Sequence, residues 1–397
     1  MKILVITQYF WPEEFRINDI CKGLKEAGHE VEVLTGLPNY PTGKIFEGFS
    51  YVKRGTKEYE GMKVRRVGMI PRGKNNFIML TLNYLSFMIS ASIRVIPLMF
   101  KKYDRIFVFQ VSPITTAVPA IFLSKIKKIP SYIYIQDLWP ETFYSIVNIS
   151  NKKIRKAMKK ISNKIYNTFD KLLIASKGYE EILIDGGIDK GKLEYFPQWA
   201  EDFYSKAEKS VEVSNEFIVT FAGNIGKAQS VDTIIEAANL AKSQKDIKWQ
   251  ILGDGSEFDY IKSLVDKYSL YDNVKLLGRK PASDMPKYFS ASDALIVTLK
   301  DEDILRVTLP AKVQSYMASG KPVLAAISGE GNRIIRESKC GLVGEAEDHV
   351  KLYKNVIKLF NMSEEERICL GMNGKEYFNN NFTREKLLNQ LEAIMSK

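Results

Sequence analysis

The chain has 397 residues, 45% of them hydrophobic and 26% charged, a length that suits two domains and a balance that excludes collagenous, coiled-coil and disordered chains. Its net charge of +11 is unevenly placed: residues 1–200 hold 31 Lys and Arg against 18 Asp and Glu, whereas residues 201–397 hold 27 against 29. An excess confined to the first half points to an anionic partner there, either a membrane surface or nucleic acid.

The opening "KILVIT" reads as a strand rather than a charged-then-apolar leader, so an exported protein is not expected. A helix over about 16–27 and the strand "VEVLTG" follow, with His29 in the turn between them. The run 53–74 is rich in Lys and Arg and contains the strand-like "KVRRVG". Residues 77–100, "FIMLTLNYLSFMISASIRVIPLMF", are long enough to span a bilayer but carry Asn83, Arg94, Pro97 and several serines. Strand-like runs on both sides favour a helix buried against a continuing sheet, with partial immersion in one leaflet as the alternative. "RIFVFQ" and "SYIYIQ" come next, then a basic amphipathic segment, "NKKIRKAMKKISNK" at 151–164, that contains no acid, and then "KLLIAS". The polar, aperiodic stretch 196–216 reads as a linker.

A second series then begins: "FIVTFAG", "IKWQILG", "NVKLLG", "ALIVTL" and "KPVLAA", five short apolar strands separated by helix-length segments. Strands without polar alternation, joined by helices, predict parallel sheets covered on both faces, and ligands then sit beyond the carboxyl ends of the strands. We expect two doubly wound domains facing one another, residues 1–200 and 201–382, with the last segment, 383–397, packing back on the first.

The loops at those strand ends are the candidate site. Gly223, Asn224, Gly226 and Lys227 lie in "AGNIGKAQS", Gly253 and Asp254 in "LGDGSE", Arg279 and Lys280 in "LGRKPAS", and Glu330 in "ISGEGNRI". Arg306, Thr308, Lys312 and Ser315 surround a helix start at Pro310. Helix N-termini favour acids, so Lys312 in a first turn is out of place unless an anion binds there, where unpaired amides and the helix dipole also attract it. In the first half, Asp137 and Glu141 of "IQDLWPE" directly follow a strand and are the acid–base candidates, with a helix-capping role as the alternative. "DED" at 301–303 resembles a metal-binding triad but reads better as a solvated loop, and neither His29 nor His349 has a partner at metal spacing. The scattered Cys21, Cys340 and Cys369 lack metal or redox spacing and fit a reducing cytosol.

The order "AGNIG", "LGDGSE", "LLGR", "SDALIVTL…LPAKVQSYMASGKPVLA", after "MKILVITQYFWPE…GHEVEVLTG", resembles the family 4 retaining glycosyltransferases of GT-B fold nearly end to end. "VLTGLPNYPTGK" and "QDLWPE" are similar to a subgroup of O-antigen and capsule enzymes that includes N-acetyl-L-fucosamine transferases. The resemblance implies transfer of a sugar from a UDP-sugar to a polyprenyl-diphosphate-linked saccharide. It implies a cytoplasmic protein held peripherally at the inner face of the plasma membrane through anionic lipid, with no metal cofactor and no nucleic acid. It further implies that Gly223, Asn224, Gly226, Lys227 and Lys312 lie by the diphosphate, Arg279 and Lys280 by the nucleobase, and Glu330 by the sugar or ribose. Two departures stand out. Val307 and Ser315 occupy the places of two glutamates frequent in relatives, and Phe15 and Arg16 replace a frequent glycine pair, so that Arg16 becomes a candidate phosphate contact. A nucleotide-sugar epimerase of the same fold remains an alternative, and a basic nucleic-acid-binding protein a more distant one, against which the basic runs lack aromatic interleaving.

Overall fold

The computed structural model describes residues 1–52, 57–73, 77–146, 149, 151–205 and 216–396. Parts of the basic run 53–74 (53–56 and 74) and of the linker 196–216 (206–215) therefore lie outside the described residues. The chain forms two compact units: residues 1–175, 179–196 and 388–397 make the first, residues 176–178 and 197–387 the second. The boundaries thus fall near 196 and 387 rather than at the expected 200 and 382.

In the first unit, β1 (Lys2–Thr7), α1 (Arg16–Glu26), β2 (Glu30–Thr35), β3 (Glu58–Tyr59) and β4 (Met62–Arg66) lead to α2 (Phe77–Leu98). There follow β5 (Arg105–Gln110), α3 (Val118–Lys127), β6 (Ser131–Ile135), α4 (Glu141–Ile146), α5 (Lys152–Tyr166), β7 (Lys171–Ile174), α6 (Tyr179–Asp185) and β8 (Leu193–Tyr195). The sheet order is β3-β4-β2-β1-β5-β6-β7-β8, parallel throughout except for the β3–β4 hairpin. The order reverses at β1, so the carboxyl ends of β1 and β5 flank the switch point where doubly wound sheets bind ligands. Strands β3 and β8 escaped the sequence reading because two or three half-exposed residues carry no hydrophobic period.

The helix expected over 77–100 forms over 77–98, but it is not simply buried. Asn83, Tyr84, Phe87, Ala91, Val95 and Leu98 are buried, whereas Ile78, Leu82, Leu85, Ile89, Ile93 and Ile96 are exposed. Both sets recur at helical spacing, so composition alone could not separate a core helix from a one-sided one.

In the second unit, β9 (Phe217–Ala222), α7 (Asp232–Leu240), β10 (Ile247–Leu252), α8 (Phe258–Tyr268), β11 (Val274–Gly278), α9 (Met285–Ser290) and β12 (Ala294–Thr298) come first. Then follow α10 (Asp303–Val307), α11 (Ala311–Ser319), β13 (Val323–Ala326), α12 (Glu330–Ser338), β14 (Gly341–Gly344), α13 (His349–Phe360), α14 (Glu364–Asn381) and α15 (Arg384–Ser396). The six strands are parallel in the order β11-β10-β9-β12-β13-β14; the sixth, "GLVG", was not anticipated because its flanking glycines read as turn. Successive residues enter opposite cores: Ile296 and Leu324 join one cluster, Leu295 and Val323 the other. Two covered faces explain why these strands show no polar alternation. Gly371 and Gly374 let α14 lie close on the end of α11, since a Cβ on Gly371 would overlap the Gly320 carbonyl. The end of α15 belongs to the first unit, where Met395 accepts a hydrogen bond from Arg105 Nε at 2.7 Å and Gln390 donates to the Tyr195 carbonyl at 2.9 Å.

Candidate functional site

The loops following β9, β10 and β11 are joined backbone to backbone. The amides of Gly223, Ile225 and Gly253 each donate at 2.9 Å, to the carbonyls of Leu252, Asp254 and Gly278 respectively. Such approach requires glycine: Gly223 and Gly253 have φ of 143° and 148°, and a Cβ on Gly253 would overlap the Gly223 carbonyl. Asn224 and the Gly226 amide both donate to Gln229 Oε1, at 3.0 and 3.2 Å, which shapes the loop and leaves Lys227 exposed after it. Asp254 is exposed, its carboxylate accepting the Gly255 amide at 2.8 Å, and Arg279 and Lys280 are exposed immediately after β11. Sequence reasoning named these loops; the structure brings them onto one edge.

Helix α11 places Lys312 over that edge. Tyr316, fully buried, accepts the Ala222 amide at 3.1 Å and donates to the Ala222 carbonyl at 3.2 Å, which pins the helix to the end of β9. Lys312 lies one turn earlier on the same face. Its Nζ sits 3.8 Å from the centroid of the Phe221 ring, and a Cβ on Gly223 would come within 2.7 Å of it. Among the described residues no carboxylate pairs with Lys312, and burial pushes its pKa down to about 7. The helix start, Pro310 followed by Ala311, has no side-chain cap. Uncapped amides, the positive dipole end and a half-buried ammonium with no carboxylate partner among the described residues converge on glycine loops, an arrangement complementary to a di-anion. Tyr316 was missed by the sequence reading because nothing local marks a tyrosine whose partner is 94 residues away in β9.

Other expected contacts are occupied. Arg306 makes two hydrogen bonds of 2.7 Å to the Asp301 carboxylate, so the "DED" loop serves this pair. Thr308 Oγ1 donates to the Ile304 carbonyl and Ser315 Oγ to the Ala311 carbonyl, both within local turns. Glu330 is buried at the start of α12 and bound by Arg333 through two contacts of 2.8 Å. Ser315 and Glu330, the candidates to stand in for the carboxylates absent at Val307 and Ser315, thus make local contacts in this structure.

In the first unit, Asp137 follows β6 and accepts a hydrogen bond from Ser112 Oγ at 2.9 Å, while Ser112 accepts one from Trp139 Nε1 at 3.1 Å. Gln110 fixes the backbone by donating to the Asp137 carbonyl at 2.9 Å. Burial raises the Asp137 pKa, against the lowering effect of Ser112. Glu141 opens α4 half-buried and is likewise raised by burial, with its own amide and the cations Lys159 and Arg155 opposing the shift. Both carboxylates act on the buried Tyr166 phenol. Arg16 opens α1, and its charge acts on the buried Tyr134.

Sequence reasoning overlooked Glu13. Its carboxylate, 2% exposed, accepts the amides of Asn39 and Tyr40 at 2.8 Å and of Phe10 at 3.2 Å, tying the loop after β1 to the loop after β2. Burial raises its pKa to about 7, although these bonds and the Arg66 charge favour the anion. Around it, Tyr9 and Phe15 stack at 5.1 Å, Tyr40 packs on both, and Arg72 lies 5.0 Å from the Tyr40 ring centroid. The result is a cluster of packed aromatic rings at the carboxyl end of β1.

Residues 202–377 match the family model described as "Glycosyl transferases group 1". WbjE of Pseudomonas aeruginosa, named a probable glycosyltransferase, is 25% identical over 62% of this chain and 64% of its own length. WcaI of Escherichia coli strain K12, named for colanic acid biosynthesis as a glycosyl transferase, is 23% identical over 81% of this chain and 82% of its own. The chain thus spans less than two thirds of the first of these relatives and most of the second. The crystal structure of Anabaena HepE in complex with UDP superposes with a TM-score of 0.72 at 16% identity, covering 100% of both chains. The fold is therefore that of GT-B glycosyltransferases, two α/β units with Rossmann-like parallel sheets.

Proposed function

We propose that the protein is a retaining glycosyltransferase that moves a sugar, an N-acetylated deoxyhexosamine or hexosamine, from a UDP-sugar to a hydroxyl of a polyprenyl-diphosphate-linked saccharide. Its place would be bacterial O-antigen or capsule synthesis at the cytosolic face of the membrane. The observation that carries the reading is Lys312: a half-buried ammonium with no carboxylate partner among the described residues, lying across Gly223 at the uncapped start of α11. The match of this unit to a glycosyltransferase family model and the UDP-bound HepE neighbour support the same assignment.

In this reading Lys312, Lys227 and the α11 amides hold the diphosphate and stabilise the charge that grows on it as the sugar C1–O bond breaks. The charge is balanced by the chain's own cations, so the proposal calls for no metal ion. The acceptor oxygen forms its bond to C1 on the face the diphosphate leaves, and its proton passes to the departing diphosphate oxygen. Asp137, held by Ser112, is assigned to the acceptor side, where it orients the hydroxyl or stabilises oxocarbenium charge. Glu13 holds the aromatic cluster of the acceptor unit. The anomeric configuration of the product, read by NMR, tests the reading: an α-linked donor should give an α-linked product, and inversion would overturn the retaining assignment.

A further inference from the structure

Helix α2 carries an outward apolar stripe that is exposed to solvent. Ile78, Leu82, Leu85, Ile89, Ile93 and Ile96 recur at intervals of three and four residues, all exposed, over a helix of 22 residues, about 33 Å long. Its far end continues into Phe100, 89% exposed, and into Phe122 and Ile126 of the neighbouring α3. Lys102, Lys125 and Lys128 are exposed at that same end, where Lys127 Nζ caps the Met99 carbonyl at 2.9 Å. At the near end, Phe77 packs on Phe143 of α4, and Arg155 of α5 lies 4.3 Å from the Tyr144 ring centroid. That contact joins the stripe to the acid-free helix α5, where Lys152, Lys153, Lys156 and Lys160 stand exposed. The stripe is therefore bracketed by cations at both ends.

We infer that this face lies in the surface of an anionic bilayer, with α2 parallel to the membrane plane. This deepens the membrane contact of the proposed function and rests on it. By length and composition α2 could cross a membrane, but its inner face is tied down. Asn83 is fully buried, accepting from Gln8 at 2.7 Å and donating to the Ile70 carbonyl at 2.6 Å. Leaving the sheet would strand those groups in hydrocarbon. An in-plane helix instead sinks the isoleucines to the acyl boundary while the flanking lysines reach the headgroups. The charges also argue against a second copy of the chain as occupant: paired stripes would bring the cations of one copy against those of the other. Nucleic acid fits less well, because isoleucines offer nothing to phosphates.

The test is flotation of the full chain with vesicles of phosphatidylglycerol and phosphatidylethanolamine, compared with phosphatidylcholine alone. Binding should require the anionic lipid, and Ile89→Glu with Ile93→Glu should weaken it by about tenfold or more, with unchanged thermal unfolding and UDP affinity. Ile93→Trp should be quenched by lipids brominated near the carbonyl end of the acyl chain. The inference is overturned by vesicle binding that persists in the double variant, by an unquenched tryptophan, or by equal binding to neutral lipid. It is also overturned if the double variant turns a dimer into a monomer, or if the cations retain only nucleic acid. Transfer of sugar to a water-soluble short acceptor is measured in parallel: retained transfer without vesicle binding removes the docking face and leaves the proposed function standing, whereas vesicle binding without transfer does the reverse.

Discussion

Lys312 makes a quantitative prediction. In the free protein burial holds its pKa at about 7, while a diphosphate beside it favours the charged form, so binding must take up a proton above neutrality. UDP-glucose and UDP-N-acetylglucosamine are suitable probes because their diphosphate diesters do not titrate in this range. If only the protonated lysine binds, affinity should fall roughly 25-fold from pH 6.5 to 8.5, the change in charged fraction for a group at about 7. Calorimetry at pH 8 in buffers of different ionisation enthalpy should report an uptake of about 0.9 proton per nucleotide sugar. Lys312→Met should abolish the uptake and weaken binding at pH 6.5 by about 10- to 100-fold, the loss of one charge-assisted contact. A pH-independent affinity, or the same slope in the methionine variant, would refute the placement of the diphosphate against Lys312.

The same lysine makes stability depend on pH in the unliganded protein. The unfolded side chain keeps its proton to its ordinary value of 10.5 and the folded one releases it at about 7, so stability should rise with pH across that window and do so less in Lys312→Met. Glu13 has the opposite sign: its folded value of about 7 lies above the ordinary 4.5, so the native state gains stability as pH falls through that interval, by on the order of 3 kcal/mol. Urea titrations of wild type and Glu13→Gln should diverge there, and parallel curves would contradict the burial of this carboxylate. Gly253→Ala, which drives a Cβ into the Gly223 carbonyl at a positive φ, should cost about 1–3 kcal/mol and raise the donor KM; unchanged unfolding and KM would show that the loop can yield. Asp137→Asn should lower kcat about 100-fold or more while leaving UDP affinity unchanged, and a loss of nucleotide affinity alone would move Asp137 out of the chemistry.

Much of the second unit was legible in the sequence, because its signals are local. Gly223, Gly253 and Lys312 stand out through residue type at a strand end or helix start, and the structure places all three at one edge. What the sequence hid depends on distant partners. Tyr316 fixes α11 by bonding Ala222, and Glu13 joins loops through amides 26 and 27 residues away. Neither position has a pattern of its own. Helix α2 was ambiguous for a different reason: both of its faces are apolar, and only its packing partners decide which is covered. At Arg306 and Glu330 residue type suggested a ligand contact, and what it did not reveal is their pairing with Asp301 and Arg333.

The central claim is tested most directly by incubating the full chain with bacterial membranes that carry polyprenyl-diphosphate-linked saccharides and a panel of radiolabelled nucleotide sugars. The account predicts transfer of label to the lipid fraction from a UDP-sugar and its loss in Lys312→Ala. No transfer from any donor, with UDP binding intact, would contradict it.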